Sequence, residues 1–415
     1  MRKFLLTAVL FASATALFAQ NLDDVQEQIS KKNYAKAKTA IDKVLADSKG
    51  QKSANAWYYK GVIYNELAKD STQDNSAYRA EAYEALKKSQ ELDPKNVMGE
   101  VEQNWRLFDI YNYYLNAAIK QHNAKDYPGA LNNYKKAIEI QQYIHGKGFA
   151  YNNQTLPALD TAVNLYAGSA ALFAKDTATG MQYFQQIADA KVPGKDYMQA
   201  YQMLVDYYNR KGDQANAQKY AALGKQLYPE SEYWTYYELS DPTLRDDKNK
   251  LLAKYEEVIA KNPESGSLAL DYAIELFNYT YGQNKPADYK ALQDKTTAAI
   301  QKAIDLNKSA EANYLMVQNI SNQIYDMQEA QRAIKGTKPE DIKKKNGYTA
   351  DINKKYDDLV KYGETAAQLF SERNDLKAVE KANYKAVLGQ LANYYRFKKQ
   401  PDKAKTYDDK AKALG

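Results

Sequence analysis

The stretch Tyr201–Pro229, YQMLVDYYNRKGDQANAQKYAALGKQLYP, reads as one helical hairpin. Tyr201, Leu204, Val205 and Tyr208 stand at i, i+3, i+4 and i+7, which puts them on one face of a helix. Gly212-Asp213 follows, and glycine takes the left-handed conformation that ends a helix. Ala217, Ala221 and Gly224 then recur at spacings of four and three. Their small side chains let the second helix approach the first closely. Leu227 and Tyr228 close that helix, and Pro229 stops it because proline has no N–H to donate to the preceding turn. Two short amphipathic helices cannot cover all of their own apolar surface, so such a hairpin has to stack on neighbours.

The hairpin resembles the tetratricopeptide repeat, a helix-turn-helix unit of about 34 residues. Tyr201, Leu204, Val205, Tyr208, Ala217, Ala221, Gly224 and Pro229 fill that frame without insertion. Val205 stands where the family usually has a small residue, and Ala221 where it has an aromatic one.

The same plan recurs along the chain. Residues Asn21–Ala46 form a first, truncated unit, with the turn at Asn33-Tyr34 and Ala37, Ile41 and Val44 behind it. Trp57, Lys60, Gly61 and Tyr64 pair with Ala82, Leu86, Ser89 and Pro94 across the polar insertion Lys69–Ala77. Tyr114, Ala117, Ala118 and Gln121 lead into Ala130, Tyr134 and Ala137, and a polar loop spans Gly146–Thr155. Asn164, Ala167, Gly168 and Ala171 precede Gly180, Phe184 and Ile187. Beyond the opening hairpin, Tyr233–Tyr237 predicts a short first helix, followed by Leu251, Tyr255, Val258 and Pro263. Leu270, Ala273, Ile274 and Phe277 are separated from Thr296, Ile300 and Ala303 by an insertion at Gly282–Ala287. Ala310–Ile334 predicts an unusually long helix, Gly336–Gly347 a basic break, and Tyr348–Glu372 a second long helix. Leu388, Leu391, Ala392, Tyr395, Pro401, Ala404 and Ala411 return to the pattern. No stretch alternates apolar and polar residues as a strand does.

The expected fold class is therefore all-α, and the resemblance implies a right-handed α-α superhelix, a solenoid of such hairpins. The expected organisation is a signal peptide over 1–19, a repeat solenoid over 20–308, and a C-terminal helical extension over 309–415.

The first residues, MRKFLLTAVLFASATALFAQ, carry a basic start, an apolar core and small residues before a cut near Ala19-Gln20, the marks of a secretory signal. That apolar run is too short to span a membrane comfortably, and no other stretch approaches one. With no cysteine there is neither a lipid-anchor box nor a disulfide framework. Together these features predict an exported bacterial protein, periplasmic or secreted. Loss of Arg2 and Lys3 with the signal lowers the formal net charge from +6 to +4. Charges of both signs are interspersed, which speaks against a nucleic-acid partner because that needs a concentrated basic face.

No constellation predicts catalysis, a metal site or a cofactor. The two histidines, His122 and His145, lie in no H-E-x-x-H arrangement. Gly146-Lys147-Gly148 lacks the spacing of a phosphate-binding loop. Paired carboxylates of a glycosidase remain open as a minor alternative, because nothing singles out one pair among 52 acidic residues.

In the family that the hairpins resemble, the first helices line the groove that receives partners. The resemblance places Asn55, Tyr58, Val62, Asn65, Asn112, His122, Asn123, Gln199, Gln202, Asp206, Asn209 and Arg210 on that side. The set is rich in amides and lacks the Lys and Asn clamp that the family uses for carboxylate-ended peptides. It implies a protein or peptide partner, in an envelope assembly or a secretion system. The chain also holds 38 tyrosines. Those at repeat spacing read as packing, whereas the cluster Tyr233, Trp234, Tyr236 and Tyr237 suggests an aromatic patch and, as an alternative function, glycan binding.

Overall fold

The structure, a computed structural model, describes residues 21–69 and 76–414. The signal-peptide residues 1–19 and most of the Lys69–Ala77 insertion lie outside them. The chain divides into two compact units between Ser231 and Glu232. The boundary expected at 308/309 therefore falls inside the second unit.

The first unit begins with α1 (residues 21–30), α2 (Tyr34–Ala46), the single turn α3 (Ser48–Gln51), α4 (Ala54–Leu67) and α5 (Ser76–Leu92). The short α6 (Val97–Val101) leads to α7 (Trp105–Asn123) and α8 (Tyr127–Lys147). After a small β-hairpin come α9 (Thr161–Phe173), α10 (Thr177–Asp189), α11 (Met198–Arg210) and α12 (Gln214–Leu227). Within the unit α4 packs on α5, α7 on α8, α9 on α10 and α11 on α12, and each pair stacks on the next through α8–α9 and α10–α11 contacts. This is the tandem hairpin array expected from the periodicity, with a fold like that of the tetratricopeptide repeat.

One turn closes hairpin after hairpin. Lys32, Lys125, Lys175 and Gly212 all sit in the left-handed region, with φ of 55°, 62°, 64° and 73°. At each, the N–H bonds three residues back and the next N–H bonds five residues back, as in Lys125 to His122 and Asp126 to Gln121. That is the Schellman ending of a helix. At three of the four the next residue then caps the following helix: Asp126, Asp176 and Asp213 accept from the N–H groups of Gly129, Thr179 and Asn216. Lysine in this conformation costs about 1 kcal/mol, which the two hydrogen bonds and, after Lys125 and Lys175, the cap offset.

One local expectation changes. Residues 146–155 are not one loop: α8 runs to Lys147, Gly148 caps it at φ 68°, and β1 (Ala150–Tyr151) pairs antiparallel with β2 (Gln154–Thr155). Asn152 and Asn153, at φ 50° and 61°, supply the two left-handed residues of a tight hairpin turn. Close packing of α9 on α10 depends on Gly168, where a methyl group would lie 2.4 Å from the Phe184 ring.

The second unit comprises α13 (Glu232–Leu239), α14 (Pro242–Arg245), α15 (Lys248–Lys261), α16 (Gly266–Tyr281), α17 (Gln293–Leu306), α18 (Ala310–Ala333), α19 (Pro339–Ser371), α20 (Ala378–Phe397) and α21 (Pro401–Ala413). The eight-residue α13 is the short first helix expected at Tyr233–Tyr237. The long hairpin is present, but α19 has 33 residues and starts inside the segment expected to be a break. Pro339 occupies the first turn, with Glu340 and Asp341 beside the positive end of the helix dipole. Ile320 and Ile324 of α18 belong to one apolar cluster with Ile352 and Leu359 of α19. A polar ladder ties α18 to its other neighbours: the Tyr281 hydroxyl donates to Asn319 at 2.9 Å, and Asn319 and Gln323 donate to Thr297 at 2.8 and 2.9 Å.

Candidate functional site

The residues expected in a groove separate by burial. Asn55 on α4, Asn112 and Asn123 on α7, and Gln199, Asp206 and Arg210 on α11 are exposed. His122, Gln202 and Asn209 are half-buried, and the Gln202 amide donates to Ser231 at 3.4 Å. Tyr58, Val62 and Asn65 are not available to a partner, being 4%, 2% and 0% exposed. Asn65 serves the structure instead. It accepts from the Arg79 guanidinium and donates to the Asp109 carboxylate, each at 2.8 Å, which joins α4, α5 and α7.

The aromatic patch expected at 233–237 also changes character. Trp234 is buried, with Tyr233 packed edge-on against it at 4.8 Å, and the exposed Tyr236 gives its hydroxyl to Asp271. A platform for stacking a sugar needs an open ring face, and Trp234 has none.

An open aromatic surface exists elsewhere, on the first helices of the first unit. Tyr166 and Phe173 of α9 are 53% and 60% exposed, unusually so for large apolar rings. They lie seven residues apart, two turns along one face. Phe173 stacks on Tyr127 at 4.6 Å between ring centroids, and His122 packs edge-on to Tyr127, Tyr134 and Tyr166 at 5.4–6.2 Å. Burial lowers the pKa of His122 below its ordinary value, so the imidazole is neutral at pH 7 and the surface stays uncharged there.

Beside this surface a cleft of about 440 Å³ opens between α9 and α11. The buried Phe184 of α10 and Ala200 of α11 form its floor, and Tyr166, Phe173 and Met203 stand along its sides. Ser169, Gln199 and Asp196 supply its polar groups. Asp196 is held there by a pinned turn, the 3-10 segment Lys195–Tyr197. The Tyr197 hydroxyl meets Thr161 at the start of α9 at 2.8 Å. Tyr201 and Tyr228 donate to the Val192 carbonyl at 3.0 and 3.3 Å, and Tyr228 to the Gly194 carbonyl at 3.0 Å. Burial pushes the Tyr201 hydroxyl up to about 12, so it remains a donor across the physiological range.

Of the residues expected from the sequence, the structure brings Gln199 into this cleft and His122 to its aromatic wall. Asp206, Asn209 and Arg210 lie on α11 two or more turns beyond Gln199. Tyr166, Phe173 and Asp196 were missed. The signal for the first two was present: both fall off the Asn164, Ala167, Gly168, Ala171 packing stripe, at a helical spacing of their own. Among the described residues no group of His, Cys, Asp and Glu is placed to hold a metal ion, and no helix is long and apolar enough to cross a membrane.

No protein-family model and no curated protein matches the sequence. Solved structures with similar folds include the P58(IPK) TPR domain, 10% identical, covering 91% of this chain and 98% of that one with a TM-score of 0.27. Another is a chain of the Naa15/Naa10 complex bound to HypK-THB, 14% identical, covering 96% of this chain and 63% of that one with a TM-score of 0.31. A third is a circular tandem repeat protein of novel repeat topology, 8% identical, covering 96% and 89% with a TM-score of 0.20.

Proposed function

We propose that this chain is an exported, non-enzymatic scaffold that binds a protein partner through an extended peptide segment laid over the α9–α11 cleft. The observation that carries this reading is the exposed Tyr166–Phe173 face beside a cleft with a polar edge. Exposed aromatic rings next to a pocket are the usual anchors of protein recognition, because they bury much area with little loss of side-chain freedom. Ser169 and Gln199 offer hydrogen bonds to a peptide backbone. The N-terminal sequence pattern supports export, and with it a partner in an envelope assembly or a secretion system.

The test is an array of ten-residue peptides of varied sequence, probed with the native chain and with the double variant Tyr166→Ala/Phe173→Ala. The native chain is expected to retain a defined set of peptides. The variant should lose at least about tenfold in affinity for them, as hot-spot aromatics do, with an unchanged circular dichroism spectrum because both rings face solvent. Retention of no peptide, or equal retention by the variant, contradicts the reading. A glycan array probed in parallel distinguishes the alternative: sugar binding lost in the same variant would make the cleft's ligand a glycan.

A further inference from the structure

We propose that the α9–α11 cleft is built for an arginine side chain of the partner, with the guanidinium paired to Asp196 and the aliphatic stem lying along Met203 and the Tyr166–Phe173 rings. This rests on the peptide-binding reading above and specifies what the peptide presents. Charge complementarity carries it. Asp196 is the one acidic or basic residue lining the cleft, and among the described residues no cation pairs with it. His122, packed against Tyr166, is neutral and supplies no compensating charge.

The rest of the cleft suits the same ligand. A guanidinium is weakly hydrated and stacks on aromatic faces, and its planar fork matches a carboxylate. The methylene stem requires an apolar channel, which Met203, Leu165 and Leu172 provide. The backbone that carries Asp196 is also pinned before any ligand arrives. Tyr197 fastens the turn that carries Asp196 to α9, and Tyr201 and Tyr228 fasten the 192–194 backbone leading into it. A carboxylate on a pinned turn loses less freedom on pairing than one on a loose loop. A glutamate-bearing or carboxylate-ended peptide would meet Asp196 as a like charge.

The experiment is saturation-transfer NMR on the full chain with three small probes: N-acetyl-arginine methylamide, N-acetyl-norleucine methylamide and N-acetyl-glutamate methylamide. Transfer to the arginine methylenes is expected, weaker transfer to norleucine, and none to glutamate. In Asp196→Asn the arginine signal should fall roughly fivefold, the size of one ion pair at a solvent edge, while norleucine is unaffected. Phe173→Ala should weaken both, and added salt should weaken arginine alone. Norleucine equal to arginine, with Asp196→Asn indifferent, would overturn the arginine assignment and leave peptide binding intact. Absence of transfer to every probe would also overturn it, and the peptide array would still report separately on the broader reading. An arginine signal unaffected by both Asp196→Asn and Phe173→Ala would place binding outside this cleft and contradict the proposal.

Discussion

Trp234→Ala is expected to lower the stability of the chain by about 3–5 kcal/mol, the usual cost of truncating a buried tryptophan. The indole is 2% exposed, so its removal leaves a cavity instead of an altered surface. The short α13 makes the site vulnerable, because eight residues offer few other apolar anchors. Only Leu239 of that helix is buried alongside Trp234. The check is the urea midpoint followed by far-ultraviolet circular dichroism. A drop in midpoint with the peptide specificity of the folded protein unchanged agrees with a structural tryptophan. A change below about 0.5 kcal/mol, the range of ordinary surface substitutions, would mean that Trp234 is a surface residue after all.

Asp109→Ala is expected to cost about 2–4 kcal/mol, at the lower end of what breaking a buried ion pair does. Arg79 is 5% exposed, and its guanidinium lies within 3.4 Å of the Asp109 carboxylate and 2.8 Å of the Asn65 amide oxygen. The Tyr113 ring lies 4.3 Å away. Without Asp109 the buried cation keeps one amide acceptor and a ring face, too little to replace its lost hydration. Asp109 itself is about one-third exposed, which limits the loss. Asp109→Asn should recover part of it, since the amide oxygen still accepts from Asn65. Thermal unfolding separates the cases. Equal stability of Asp109→Ala and the native chain would show that water, not Asp109, satisfies Arg79.

Much of the fold was legible because a packed helix writes its period into the chain. Ala217, Ala221 and Gly224 of α12, or Leu388, Leu391 and Ala392 of α20, announce the buried stripe directly. The repeated turn was legible at Gly212-Asp213 and at Asn33-Tyr34. Lysine seldom takes a left-handed conformation, so Lys125 and Lys175 carry no local sign of it. The start of α19 was written in Pro339-Glu340-Asp341, but Gly347 and the lysines around it read as a break. A glycine in a helix costs only about 1 kcal/mol, and packing elsewhere along 33 residues overrides that.

The site was legible only in part, for a physical reason. Placing Tyr58, Asn65 and Trp234 on a surface assumed that a polar or amphipathic residue facing away from its own hairpin faces water. Burial is decided by the next element along, here α5 and α7 around Asn65. Asp196 shows the reverse: its position depends on hydroxyls of Tyr201 and Tyr228, the latter more than thirty residues away along the chain. No local pattern records such a contact. Many of the tyrosines act this way, with the ring packed and the hydroxyl pinning a neighbouring carbonyl or carboxylate, as Tyr395 and Tyr407 both do at Glu364 at 2.7 and 3.0 Å.

The measurement that bears most directly on the binding role is site-specific photo-crosslinking. Benzoylphenylalanine is placed at Tyr166, beside the cleft, or at Tyr325, which is 61% exposed on the second unit. Each chain is irradiated with the best-retained peptide from the array. A peptide adduct is expected from position 166 and none from position 325. Adducts formed equally from both positions, or from 325 alone, would contradict the binding role.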